Sequence, residues 1–276
     1  YLVQPGFTAS EYDAAQSLAD HEALFRRARA LTASALQGGG ADETATFPQP
    51  LVVWPETVLH YPAYENPALR EQVRAAAREW GAWFLLGLPR EDRSSRGGEI
   101  LRNSAFLLSP AGADVGFYDK VHVIPIAEDQ FTPGDQPRVF PAGGHVFGVG
   151  ICSDAVVPAH ARSAVLQGAQ ALYYLSSLGR IGDLAAVEVA LVAFRAAENR
   201  VPALQAATTG HSVVFGPDGR LVAQLAEGEG VLAANVEVSG APGSFYTRYG
   251  DLPVLLGGVI MFASGVIQSR RRVRVW

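Results

Sequence analysis

Short apolar runs alternate along the chain with longer stretches in which apolar residues recur every three or four positions. Leu51–Trp54, Trp83–Leu88, His145–Ile151 and Ala171–Leu175 are uninterrupted or nearly so, and read as buried strands. Leu2–Gln4 reads as part of another, and a strand this close to residue 1 predicts a segment before it. Helical spacing runs through residues 9–36 (Ala14, Leu18, Leu24, Ala28, Leu31) and returns over 68–80, 161–168 and 183–200. Residues 37–49, 90–98 and the proline-rich 119–144 read as loops. Asn103–Leu108 and Val115–Tyr118 form a predicted hairpin. Strands follow over 203–208, 212–215, 221–225 and 231–238, with a turn at Gly216-Pro217-Asp218-Gly219. Helices alternating with buried strands predict an α/β fold with its sheets inside and its helices outside.

The pattern changes at the C-terminus. Leu252–Ile267 carries no charge, and Arg270, Arg271, Arg272 and Arg274 follow it. Its length falls a little short of the roughly 20 residues that span a bilayer. Its glycines and the basic tail behind it suit a membrane helix with a cytoplasmic C-terminus. The expected organisation is therefore a catalytic domain over 1–250 and a transmembrane helix with a basic tail over 251–276. A buried final helix is the alternative.

Composition removes several function classes. The net charge is −5, and the basic residues of the tail leave the body more acidic still, so a nucleic-acid partner is not expected. The single cysteine, Cys152, excludes an intrachain disulfide and any multi-cysteine metal site. No metal or nucleotide motif is present, and no cofactor is expected. The chain keeps one lysine, Lys120, against 21 arginines. Lysine is a compact charge that arginine cannot replace at every site.

Cys152 follows an apolar strand and precedes a turn, where a nucleophile is held rigidly with its side chain presented. Glu56 ends the run Val52-Val53-Trp54-Pro55-Glu56 at a strand terminus, and Glu128 follows Lys120 by eight residues. A carboxylate to take the thiol proton, a thiolate to attack a carbonyl and an ammonium to stabilise the oxyanion would complete an acyl-transfer site. A second reading pairs Cys152 and Asp154 with one of His60, His122, His145, His160 or His211, as in a cysteine variant of an α/β-hydrolase. That reading lacks the second glycine of G-x-C-x-G, because position 154 is Asp.

Trp54-Pro55-Glu56, Arg102-Asn103-Ser104-Ala105, the run Y-D-K-V-H-V-I-P at 118–125 and Gly150-Ile151-Cys152 occur in the order and spacing of the nitrilase (carbon–nitrogen hydrolase) superfamily. The resemblance implies an α-β-β-α sandwich and a Glu56–Lys120–Cys152 triad. Within the superfamily the chain is most similar to the extracytoplasmic domain of the apolipoprotein N-acyltransferases. The motifs P-I-A-E-D-Q-F-T-P-G around Glu128, R-A-A-E-N-R-V-P-A-L-Q-A-A-T-T-G at 195–210, the Gly216–Arg220 turn and F-Y-T-R-Y-G-D-L-P at 245–253 carry that likeness. The chain departs from those enzymes in having Cys152-Ser153-Asp154 for C-Y-E and S-S-L-G-R-I-G-D at 176–183 for N-D-A-W-F-G.

The resemblance implies ping-pong acyl transfer on the extracytoplasmic (periplasmic) face of a cell membrane. Glu56 deprotonates Cys152, the thiolate takes an acyl chain from a phospholipid, and the amine of a lipoprotein accepts it. Lys120 stabilises the oxyanion and Glu128 orients Lys120 or the attacking group. Trp54, Tyr118, Ser153 and Asp154 are the expected substrate contacts. Two alternatives stand beside this: an amidohydrolase of the same superfamily with water as acceptor, and a catalytically silent membrane-anchored binding module.

Overall fold

The computed structural model describes residues 1–15, 17–38, 49–59, 62, 64–94, 97–178, 182, 184–225, 227–238 and 243–273. Twelve strands form two six-stranded sheets. The first holds β1 (Leu2–Gln4), β2 (Leu51–Val53), β3 (Trp83–Arg93), β4 (Glu99–Leu108), β5 (Asp114–Asp119) and β12 (Gly230–Leu232), in the order β12-β1-β2-β3-β4-β5. The second holds β6 (Arg138–Ala142), β7 (His145–Ile151), β8 (Ala171–Ser176), β9 (Ala203–Ala207), β10 (Ser212–Phe215) and β11 (Leu221–Leu225), in the order β11-β10-β9-β8-β7-β6.

The period-two alternation of the strands builds the layers. On β3, Phe84, Leu86 and Leu88 face outward, where Phe25 and Ala28 of α2 (Leu18–Gly38) and Leu69, Val73 and Ala76 of α3 (Pro67–Trp80) cover them. Leu85 points the other way and joins Phe147, Val149, Ile151, Leu175 and Leu204 of the second sheet. That sheet's outer face, with Leu172, Tyr174, Ala203 and Val213, is covered by α4 (Pro158–Leu166) and α5 (Leu184–Asn199). The layers run helix, sheet, sheet, helix, as the sequence predicts.

The expected helix over 9–36 is two helices, α1 (Ala9–Ala14) and α2. Ser17 and Asp20 explain the break. The Ser17 backbone amide donates to Asp20 Oδ2 at 2.9 Å and the Asp20 amide donates to Ser17 Oγ at 3.3 Å, a reciprocal cap that starts a new helix. The predicted loop at 90–98 begins later than expected, because 90–93 continue β3, which pairs with β4 in register from Phe84–Leu108 out to Arg93–Glu99. The irregular stretch at 119–144 contains β6. Its Pro141 is tolerated because β6 is an edge strand.

After the short helix α6 (Phe245–Tyr249), α7 spans Leu252–Val273. Among the described residues no helix is long and apolar enough to cross a membrane, so the expected transmembrane helix lacks structural support. Apolar side chains in the first half of α7 are nonetheless uncovered: Val254, Leu255, Val259, Ile260, Met261 and Phe262 are each at least 65% exposed.

Candidate active site

Three strand ends deliver the chemistry. β2 runs into Trp54-Pro55-Glu56, β5 into Lys120 and β7 into Cys152. All three side chains are buried, at 4%, 1% and 7% exposure. Each delivery has a local cause. The Glu56 loop lies directly on β3, where the Gly87 amide donates to Pro55 O at 3.2 Å and the Val58 amide to Gly87 O at 3.0 Å. A Cβ at position 87 would stand 2.7 Å from Glu56 Cα, so glycine is what permits that approach. Lys120 is fixed by its own amide on Asn103 O and by its carbonyl under the Gly134 amide, both at 2.8 Å. Cys152 begins a single 3-10 turn (Cys152–Val156) with φ 45°, a left-handed value that a side-chain-bearing residue adopts only when its surroundings enforce it.

Asp154 is a large part of that enforcement. Fully buried, it accepts the Ile151 amide (2.8 Å) and the Tyr118 hydroxyl (2.7 Å) on Oδ2. Its Oδ1 accepts the His122 amide (3.0 Å) and lies 2.8 Å from His122 Nδ1. Burial alone would raise the Asp154 pKa, but His122, the nearby His160, Tyr118 and the Ile151 amide outweigh it and hold the carboxyl below its usual range.

The lysine lies between two carboxylates. Nζ donates to Glu56 Oε1 at 3.1 Å and to Glu128 Oε1 at 2.7 Å. Burial works against the ammonium. Glu56, the Cys152 sulfur and Glu128 more than compensate, and its pKa is raised above the ordinary lysine value. Glu56 is held on both oxygens: Asn103 Nδ2 donates to Oε1 at 2.7 Å and the Ser177 amide to Oε2 at 2.9 Å. Glu128 Oε2 accepts the Ile124 amide at 2.8 Å. Cys152 lies within the field of this cluster. Burial first, then Glu56 and Glu188, push its thiol well above the usual cysteine value, against the pull of Lys120. Its hydrogen bond, 3.3 Å long, goes to Glu188 Oε2.

The structure thus brings Glu56, Lys120, Glu128 and Cys152 together. The expected substrate contacts Trp54, Tyr118 and Asp154 are engaged internally instead. Trp54 is wholly buried and donates its indole N–H to Thr32 Oγ1, while Tyr118 and Asp154 bond each other. Trp54 packs beside Phe25 and Phe84 in the outer layer, while Asp154 holds the Ile151 amide just before the Cys152 turn. Ser153 is half-buried and donates to His122 O at 2.5 Å. The histidine-based reading is not supported by the geometry: His122 and His160 turn to Asp154 and Tyr118, and His211 lies beside Gln224. His60 lies outside the described residues, as do 179–181 and 183 of the divergent 176–183 segment.

Two residues of the cluster carry no role in the sequence reading. Asn103 stands inside a quoted motif. Glu188 had a plainer signal, as the sole charge in the first eleven residues of α5, on its buried face.

Residues 9–241 match the carbon-nitrogen hydrolase family. An apolipoprotein N-acyltransferase from Geobacter metallireducens is 31% identical over 232 residues, covering 75% of this chain and 44% of that protein. A human deaminated glutathione amidase is 30% identical over 208 residues, covering 67% of this chain and 63% of that one. The chain spans about half the length of the acyltransferases it matches. Among solved structures, an amidase of the nitrilase superfamily from Nesterenkonia superposes with a TM-score of 0.62 at 25% identity, covering 76% of this chain and 83% of that one. Fold, strand-end cluster and sequence all lead to one assignment: the chain belongs to the carbon–nitrogen hydrolase family, within the nitrilase superfamily.

Proposed function

We propose that the chain is the catalytic part of an N-acyltransferase. It moves an acyl chain from a phospholipid, through a Cys152 thioester, to the amino terminus of a lipoprotein. The observation that carries this reading is the buried Glu56–Lys120–Glu128 cluster set against Cys152. A carboxylate takes the thiol proton as the sulfur attacks the ester carbonyl. Lys120 faces the oxygen that becomes negative, and needs no reorganisation as that charge develops. The lysophospholipid departs and a thioester remains. In the second half-reaction the amine attacks the thioester carbonyl and gives its proton to Glu56, the C–S bond breaks as the amide forms, and the leaving Cys152 sulfur takes that proton from Glu56. Glu128 keeps Lys120 in place throughout. Cys152, Glu56, Lys120 and Glu128 are the proposed catalytic residues, and Ser153 remains a candidate substrate contact.

The choice of an amine acceptor and a lipid donor rests on the likeness to apolipoprotein N-acyltransferases and on the uncovered apolar face of α7. We place that helix against lipid on the extracytoplasmic side of a membrane, within 251–276, after a catalytic domain ending near 250. A second reading, hydrolysis with water as acceptor, is favoured by the similarity to deaminated glutathione amidase. The test offers the protein phospholipid vesicles with either a diacylglyceryl-cysteine peptide or simple amides. N-acylated peptide supports transfer. Amide hydrolysis without peptide acylation supports the amidase and overturns the acyltransferase.

A further inference from the structure

Glu188 is a buried carboxyl to which the scheme above gives no task. It projects from α5, is 6% exposed and touches the nucleophile. Its Oε2 accepts the Cys152 thiol, 3.3 Å from Sγ, and its Oε1 accepts the Ser176 hydroxyl at 2.5 Å. Ser176 ends β8, and the amide of the next residue, Ser177, donates to Glu56 Oε2 at 2.9 Å. One strand end therefore holds two carboxyls: Glu56, which takes the Cys152 proton, and Glu188, which lies against the sulfur.

Acylation changes what Glu188 faces. In the resting chain each of its oxygens has a donor. Once Glu56 has taken the thiol proton and an acyl group sits on Sγ, Oε2 has lost its donor. A buried carboxylate oxygen without one is costly, so a group that brings a hydrogen is favoured there. We propose that Glu188 is a specificity-determining residue for the acceptor: in the thioester its Oε2 takes an N–H of the incoming primary amine. This rests on the acyltransferase reading above and adds to it the group that recognises the amine. An alcohol has a single hydrogen, which goes to Glu56 and leaves Oε2 unsatisfied. An ammonium also brings a charge to the carboxylate, which water does not.

The bonds and protons balance. The amine lone pair forms the C–N bond, one N–H gives its proton to Glu56, and the carbonyl π pair moves to oxygen beside Lys120. A second N–H stays on Glu188. As the carbonyl re-forms, the C–S bond breaks, the sulfur takes the proton from Glu56, and the amide keeps that second N–H. The thiol then returns to Oε2, so the amine site is open only between the two half-reactions. Burial, first of all, and Glu56 raise the Glu188 pKa, while Ser176, Cys152 and Lys120 oppose the rise. The measurement therefore belongs on the alkaline side of neutrality, where the carboxyl is ionised and an acceptor.

The test acylates the full chain with p-nitrophenyl butyrate at about pH 8, near the pKa of an α-amine. The butyryl chain is freed of reagent and mixed with glycinamide or glycolamide, which differ only in an amine for a hydroxyl. Mass spectrometry follows loss of the adduct and formation of each product. The parent's ratio of amine to alcohol transfer should exceed that of a free thioester, butyryl-N-acetylcysteamine, by at least about tenfold. Glu188→Gln should remove that excess, because Ser176 keeps the Gln carbonyl oxygen and leaves an N–H2, a donor, where an acceptor is needed. Loss of packing alone would slow both acceptors and leave the ratio as it is. A parent ratio equal to that of the free thioester overturns the proposal, and this comparison needs no variant to fold. So does a Glu188→Gln ratio equal to the parent's. A chain that takes up no butyryl group refutes the reading of Cys152 as nucleophile, and the proposal with it. A chain with the expected ratio that takes no acyl group from phospholipid vesicles keeps the assignment of Glu188 and refutes the lipid donor alone.

Discussion

Lys120 shows what a single side chain must satisfy here. Its ammonium fits between Glu56 and Glu128 with no side-chain exposure at all. A guanidinium keeps the charge but is a planar fork that cannot occupy that point. Lys120→Arg should therefore lower the rate of Cys152 acylation by an activated ester more than about 100-fold. A rate within a few-fold of the parent would remove Lys120 from the mechanism. Asp154 sets a limit on stability rather than on rate. Its pKa is lowered in the folded state, so it stabilises the fold above its unfolded pKa of about 3.9 and ceases to do so as pH falls through the folded value. Asp154→Asn should cost about 2–3 kcal/mol at neutral pH, by stranding Tyr118, His122 and the Ile151 amide. Urea unfolding at several pH values should show the gap between variant and parent narrowing below about pH 4.

At the scale of elements, close approach decides what the site can be. Gly150 precedes the nucleophile by two residues, and a Cβ there would meet the Tyr174 ring at 2.6 Å. Gly150→Ala should lower stability by about 1–3 kcal/mol in thermal unfolding. At Gly87 the Cβ would meet Pro55 O at 2.6 Å, so Gly87→Ala should displace the Glu56 loop. It should slow acylation of Cys152 about tenfold or more with a smaller effect on melting. Neither glycine can be read as essential from the chain, because what each must avoid is distant in sequence. The buried strands were legible, since both of their faces are apolar. So were Glu56, Lys120 and Cys152, which stand at strand ends beside a scarce residue type or a recognisable motif. The split of α1 from α2 was hidden because its Ser17–Asp20 cap is a local hydrogen-bond choice that apolar spacing does not report. Glu188 was hidden because helical spacing gives no sign of the sulfur it meets 36 residues back along the chain.

The whole molecule divides into a closed sandwich and a helix that leaves it. The sandwich buries its apolar faces in three layers of side chains, while the large apolar side chains of α7 described up to Phe262 lie exposed. A chain ended after Asp251 should therefore unfold within a few degrees of the parent and lose affinity for phospholipid vesicles. Unchanged vesicle binding in a sedimentation assay would show that lipid meets another surface. The central claim is that Cys152 carries an acyl group taken from lipid. Intact-protein mass spectrometry after incubation with phospholipid vesicles tests it most directly, with Cys152→Ala as the control. The account predicts a hydroxylamine-labile acyl adduct on the parent alone. An unmodified parent, or an adduct of equal size on Cys152→Ala, would contradict it.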